Sequence, residues 1–415
     1  MYLTGLIQRQ RLFDLATRWF AGDLHPDDGR LLSEIFVYER LLLEPPLRRL
    51  LTSVAGPFSE TPTTWTRFAN KDVLRSALCA DPRARQSGDD IATLCHQAQE
   101  NSEALYAGTP ADLLALSTGR DVPGDTARRL RGLIKVKRLR RLSQRARVLV
   151  SETIGARIRA AARDLARQRA ETSGLPLDGF FTPPEAMAAE FAHAEDIVAN
   201  AIRAGDIMFT QDDLTIDDIF GISLVADNDA ELDAQERRLR AIEGLRLIET
   251  PPPRHSSEIQ GRTLLVELTL PSPEALVAPW ANSTWAFAKE RGLDPQELAT
   301  GILPYAERGA RTVRVEVQLT RFDALARLEL GDNPPEARIV DEMRQGRTRG
   351  RIAENAAYII EYLLIAAISQ RRDIDTLPLS LGGRYVPDAI AVWVGELFAK
   401  NSPATRSFVS PPEMP

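Results

Sequence analysis

Two short acidic motifs hold the residue types from which this chain could build a reaction centre: Asp217-Asp218-Ile219-Phe220-Gly221 and Glu316-Val317-Gln318. Carboxylates hold hard divalent cations and take protons from hydroxyls. Gln318, two residues beyond Glu316, falls on the same face of a strand and could orient either group. Each motif also has an ordinary reading. Asp-Asp before a strand is commonest as a solvated cap or turn, and Glu316 could simply be the outward residue of an amphipathic strand.

Around both motifs the hydrophobic period is that of strands. Residues 215–226 are apolar and β-prone. Val313, Val315, Val317 and Leu319 alternate with Arg314, Glu316 and Gln318, the pattern of a half-buried strand that presents polar groups. Between them come a helix closed by Gly244, strands near 245–250 and 262–270, and a mainly helical insertion at 272–310; a helix follows the last strand. Residues 205–333 therefore read as a small mixed α/β domain. The remainder reads as helical, which makes the fold class α+β and mostly helical. An N-terminal helical domain over 1–120 is expected to contain a helix at 25–43 stopped by Pro45-Pro46 and a capped helix at 109–117. From Asp125 to about Ser173 the spacing predicts one long Arg-rich helix or two in series, with Gly132 and Gly155 as the possible kinks, and the helix after it ends at Gly205, so this unit occupies 121–204. Further helices are expected over 334–400, then a polar tail, 401–415.

At 415 residues the chain exceeds the usual size of a single core, which predicts two or three domains. Two cysteines, Cys79 and Cys95, cannot make a disulfide framework and suit a reducing compartment. The amino-terminal residues have no signal-peptide pattern, and the most apolar stretch, 356–369, is short of the roughly 20 residues a membrane span needs. A cytoplasmic protein without membrane association is expected.

In order and spacing, the two motifs resemble the synthetase domain of the RelA/SpoT family of alarmone synthetases, a branch of the nucleotidyltransferase-like fold. Residues 218–223 match that family's Asp-x-x-Gly-x-Arg except that Ser223 stands in place of Arg. Residues 316–321 match its Glu-x-Gln-x-Arg-Thr except in the last pair, Thr320 and Arg321, and Asp323 leads into the expected helix. The resemblance covers roughly residues 205–330 and implies a nucleotidyltransferase-like sheet flanked by helices. It also implies transfer of pyrophosphate from ATP to a ribose 3′-hydroxyl of a nucleotide or RNA acceptor, with Mg²⁺. Asp218 would then be the first metal ligand, Glu316 a second ligand or the hydroxyl activator, Gln318 their orienter, and Arg262, Arg314 and Arg321 would meet substrate. The family's acceptor-binding Tyr has no counterpart near Arg254 or Gly261, which leaves the acceptor open. The family's hydrolase domain needs a His with a His-Asp pair, which His25, His96, His193 and His255 do not make; His96 beside Cys95 reads as packing.

Net charge is −6, yet Arg128 to Arg169 holds 15 Lys or Arg against only Glu152 and Asp164. Such a strip, including Lys135, Lys137, Arg138, Arg140 and Arg141, suits either nucleic-acid phosphates or an acidic protein surface. Two further readings stand beside the transferase: a catalytically inactive nucleotide-sensing or protein-binding module of the same fold, and a helical scaffold with an unrelated α/β insert.

Overall fold

The alternation read at the second motif places a strand at the centre of the molecule. In the computed structural model, β9 (Thr312–Arg321) buries Val313, Val315, Val317 and Leu319 completely and leaves Arg314, Glu316 and Gln318 half-buried on its other face. The structure describes residues 1–20, 25, 28–56, 64–66, 72–86, 89–100, 113–119, 128–137, 139–174, 183–248, 261–283, 285 and 294–331. The expected turn at 251–260 and everything expected beyond 331, including the apolar stretch 356–369, lie outside them.

Within these residues the protein is a helix-rich mixed α/β structure around one seven-stranded sheet. Its strands are β2 (Thr64–Thr66), β3 (Leu113–Gly119), β4 (Arg129–Val136), β6 (Phe220–Ala226), β7 (Leu245–Ile248), β8 (Gly261–Thr269) and β9, in the order β2-β3-β4-β6-β9-β8-β7. All neighbours run antiparallel except β6 and β9, which are parallel. Almost every residue of β6 is buried, as a central strand covered on both faces requires. One face packs on α2 (Asp28–Ala55) and α8 (Asp229–Ala241). On the other, a second apolar cluster forms from Leu133, Val225, Phe322 and Leu325 with α3 (Asp72–Ala80), α4 (Pro82–Gln86), α5 (Asp89–Glu100) and α11 (Phe322–Leu330). Arg83 clasps this second layer to the sheet: its guanidinium bonds Asp81, Asp227 and the Leu130 carbonyl, and lies 4.5 Å from the Phe322 ring centroid. Two long helices, α6 (Leu139–Thr172) and α7 (Pro184–Ala204), pack on each other, and α7 ends at Gly205 with φ of 79°. No described helix is long and apolar enough to cross a membrane.

Three local expectations give way to tertiary structure. Residues 129–136 are a strand, not the start of the Arg-rich helix. Pairing with both β3 and β6 satisfies that backbone, and at Gly132 any Cβ would sit 2.6 Å from the Ser223 carbonyl oxygen, so glycine there is a packing requirement and not a helix kink. Residues 113–119, overlapping the capped helix expected at 109–117, form β3 for the same reason: the ladder to β4 overrides a weak helical preference. The sheet therefore draws strands from the segments expected to be separate 1–120 and 121–204 units as well as from 205–333. Lastly, α2 runs straight through Pro45-Pro46. Leu42, Leu43, Leu47, Leu50 and Leu51 are buried on both sides of the pair. The Leu41 carbonyl, which Pro45 leaves without its helical donor, instead accepts from the Trp280 indole N–H at 3.2 Å.

The N-terminal segment is threaded into this framework. Here β1 (Tyr2–Leu3) pairs in parallel with β5 (Thr215–Ile216), and the buried carboxylate of Glu39 in α2 accepts from the backbone N–H groups of Ile7 and Gln8, both at 2.8 Å, and from the Tyr305 hydroxyl at 2.7 Å. Tyr305 lies on α10 (Pro295–Glu307), which with α9 (Pro273–Val277) makes up the described helical part of the insertion. Burial raises the Glu39 carboxyl to about 7; the three donors and Arg9 oppose this without cancelling it.

Two outcomes follow. Trp280→Phe takes the indole donor from the half-buried Leu41 carbonyl and should lower unfolding free energy by roughly 0.5–1.5 kcal/mol in urea titration. Glu39 binds its proton more tightly folded than unfolded, so its contribution to stability falls as pH rises from about 4.5 to about 7, by up to about 1.4 kcal/mol per pH unit. Urea midpoints measured across that window should show this slope in the native chain and lose it in Glu39→Gln; identical slopes would refute the assignment.

Candidate functional site

The parallel pairing of β6 with β9 brings the two acidic motifs together. Gly221 stands opposite Glu316 and Ser223 opposite Gln318, while on the other side of β6 Lys135 stands opposite Gly221. Lys135, Gly221 and Glu316 therefore form a row across three strands, and glycine at its centre leaves the face open between a cation and a carboxylate. Ahead of that row, Asp218 lies on the turn between β5 and β6, where the Lys137 backbone N–H donates to the Ile219 carbonyl and carries β4 alongside.

The neighbouring residues Asp217 and Asp218 do different things. Asp217 is an anchor: the Thr4 hydroxyl and the Arg314 guanidinium each donate to it at 2.8 Å. Asp218 faces the cluster and ion-pairs with Lys137 of the β4 end and with Arg145 of α6, both meeting Oδ2. Its side chain is 18% exposed, that of Lys137 21% and that of Arg145 55%, so Arg145 forms the solvent side of the group. Gln318 is fixed through its Oε1, which accepts from the Ser223 hydroxyl at 3.1 Å and from Lys135 Nζ at 3.3 Å. Glu316 makes no hydrogen bond or ion pair among the described residues, although Lys135, Lys137 and Arg145 all lie within electrostatic reach.

These contacts separate the two acids. For Asp218, burial favours the neutral form, but Lys137 and Arg145 outweigh it and hold the carboxyl below the usual range. For Glu316, burial and then the Asp218 charge push the carboxyl up, and the three cations offset this only in part. Burial also lowers the Lys137 ammonium, against the pull of Asp218. Two carboxylates whose environments push their acidities apart are the usual basis of acid–base division. Three cations around two carboxylates also leave the group with positive charge to meet an anion.

Several site residues expected from sequence gather here: Asp218, Glu316 and Gln318, with Arg314 next to them but committed to Asp217. Two others do not. Arg262 lies on the α8 side of the sheet, paired at 2.6 Å with both Asp233 and Glu236. Arg321 ends β9, five residues and about 17 Å along the strand from Glu316, and pairs with Asp323. Lys135 and Lys137, read from sequence as part of a nucleic-acid-binding helix, lie on β4 and just beyond its end and turn toward the carboxylates. Arg138 and the side chains of Arg140 and Arg141 lie outside the described residues. Arg145 was not singled out by any motif. The legible signal for the lysines was the two-residue period of Arg131, Leu133, Lys135 and Lys137, which a helix does not produce.

A metal can be tested against this donor set. Among the described residues no group of three or more His, Cys, Asp or Glu is arranged to hold a cation. The pair Asp218 and Glu316 fits only a cation that arrives with most of its ligands, as Mg²⁺ does on a triphosphate. Compared with known proteins, the chain matches no family model and no curated protein.

Lys137→Met keeps the aliphatic stem and removes the charge that stabilises both carboxylates. Carbon-13 NMR titration should show the Asp218 and Glu316 midpoints both moving upward; a stationary Glu316 midpoint would show that Lys137 does not reach it.

Proposed function

We propose that this chain transfers a pyrophosphoryl or nucleotidyl group from ATP to the 3′-hydroxyl of a nucleotide or RNA acceptor, with Asp218, just ahead of β6, and Glu316, on β9, as its centre. The observation that carries the reading is Glu316: a half-buried carboxylate whose affinity for a proton is raised and which makes no hydrogen bond or ion pair among the described residues, beside an Asp218 already neutralised by cations. An uncommitted carboxylate with affinity for a proton is the group a general base requires.

Glu316 would take the proton of the acceptor hydroxyl as its oxygen attacks phosphorus, and adenylate or pyrophosphate would leave with the electron pair of the broken P–O bond. Lys135, Lys137 and Arg145 would meet the phosphate oxygens, in place of the arginines that Ser223 and Thr320 replace in the motifs. Mg²⁺, held through Asp218 and the phosphates, would supply charge neutralisation. Gln318, held by Ser223 and Lys135, would keep the row in register. Beyond Arg145, α6 leaves Arg159, Arg163 and Arg167 exposed, the last paired with the nearby Asp164, so a longer RNA acceptor would find further phosphate contacts along it.

One observation favours the inactive nucleotide-binding reading. Ser223 and Thr320 are each only 1% exposed, so neither of these two motif positions presents a group to phosphate. Both readings predict nucleotide binding, and only the first predicts turnover.

The deciding experiment incubates the protein with Mg²⁺ and ATP labelled at the α or the γ phosphorus, together with GDP, GTP or total tRNA, and follows label into the acceptor. Glu316→Gln and Asp218→Asn should each reduce transfer by at least about 100-fold while retaining the native circular dichroism spectrum. Transfer at the native rate in Glu316→Gln would remove its role as base, and ATP binding without transfer to any acceptor would favour the binding module.

A further inference from the structure

Glycine is poorly suited to the middle of a strand, where it gives up the most backbone freedom and packs no side chain. Two glycines of the sheet are required by packing. A Cβ at Gly132 would sit 2.6 Å from the Ser223 carbonyl oxygen, and one at Gly261 would sit 2.5 Å from that of Leu319. Gly221, in β6, has no such reason. Its φ is not positive, and among the described residues a Cβ there would meet only the Glu316 carbonyl oxygen at 3.5 Å and the Lys135 Cβ at 3.8 Å, both ordinary van der Waals distances. Alanine would fit this fold and, by restricting the unfolded chain, would favour it.

The bare surface lies in a defined place. Gly221, Ser223 and Val225 follow one another on this face of β6. The cap of α3, α5 and α11 covers Val225, and Ser223 is buried and holds Gln318, whereas Gly221 lies beyond both. Lys135 stands on one side of it and Glu316 on the other, their Cα atoms about 10 Å apart across two strand spacings. Lys137 and Arg145 stand around Asp218 at the near end. The main chain of β6 is engaged by β4 and β9, so the floor supplies room, and the cations around it supply the attraction.

We infer that Gly221 is a specificity-determining residue, the bare floor of a slot in which the triphosphate chain of a nucleotide lies between Lys135 and Glu316. The choice of a nucleoside triphosphate rests on the transfer reaction proposed above. A chain of phosphates seated there meets Lys135 along the floor and Lys137 and Arg145 at the near end, and the phosphorus under attack comes beside the hydroxyl that Glu316 deprotonates. A methyl group at residue 221 would stand about 1.5 Å into the slot and lift the chain away from these groups.

The test is calorimetric titration of the full-length native protein and of Gly221→Ala with ATP and, separately, inorganic tripolyphosphate, both with Mg²⁺. The native protein should bind both, and tripolyphosphate should displace ATP. Gly221→Ala should keep the native circular dichroism spectrum and melt at the same temperature or up to a few degrees higher, yet bind both ligands at least about tenfold more weakly. In the transfer assay its KM for ATP should rise by the same factor, with the KM for the acceptor unchanged. Loss of binding in Gly221→Ala, with no transfer by the native protein to any acceptor, would uphold the slot and reject the transfer reaction. Native affinity in Gly221→Ala would overturn the inference even if the native protein transfers label. A large drop in its melting temperature would show that the fold itself requires glycine, and a native protein that binds neither ligand, or ATP that tripolyphosphate does not displace, would overturn the inference as well.

Discussion

The parallel pairing of β6 with β9 is the constraint on which the rest of the molecule depends. A parallel pair cannot be closed by a tight turn, so the chain must leave β6, cross through α8, and return by β7, β8 and the helical insertion before it reaches β9. Because side chains alternate, the register that sets Gly221 against Glu316 also sets the odd-numbered valines of β9 and Ile222 and Leu224 of β6 in the core packed on α2 and α8. A slip of one residue would turn Glu316 and Gln318 into that core and expose Val315 and Val317. The same burial that stabilises the sheet thus holds the two acidic motifs side by side.

Charge completes what register begins. Burial disfavours the charge on Asp218, and the partners that outweigh it come from outside the motifs, from the end of β4 and from α6. That arrangement lets one carboxylate stay charged while its neighbour Glu316 gains affinity for a proton. The turn that holds Asp218 is itself tied down by Asp217, through Thr4 and Arg314. Thr4 belongs to the N-terminal segment that Glu39 clasps from α2. Its packing contacts thus connect the first residues of the chain to the geometry of the site.

Beyond this centre the molecule is held by layers of different character. The α2 and α8 face is a continuous apolar core, whereas the α3–α5 cap depends on a smaller cluster and on the buried Arg83 clasp. A charge-assisted clasp of that kind gives orientation as much as stability, since its geometry is satisfied only when Asp81, Asp227 and the Leu130 carbonyl all converge.

Local sequence was sufficient wherever one periodicity dominated. The alternation of β9, the helix closed by Gly244, the α7 stop at Gly205 and the order of elements from 215 to 330 were all legible, because each depends on side-chain spacing or on one residue's backbone freedom. Local sequence failed where the deciding partner is distant. Arg129–Val136 and Leu113–Gly119 became strands because the ladder they share, extended by β6, satisfies their backbones, and α2 passes Pro45-Pro46 with the distant Trp280 donating to the carbonyl that Pro45 frees. The carboxylates of the candidate site could be named from their motifs. The cations beside them could not, since Lys135, Lys137 and Arg145 reach Asp218 and Glu316 only after β4 and α6 fold against β6, and no spacing in one strand specifies what its neighbours will present.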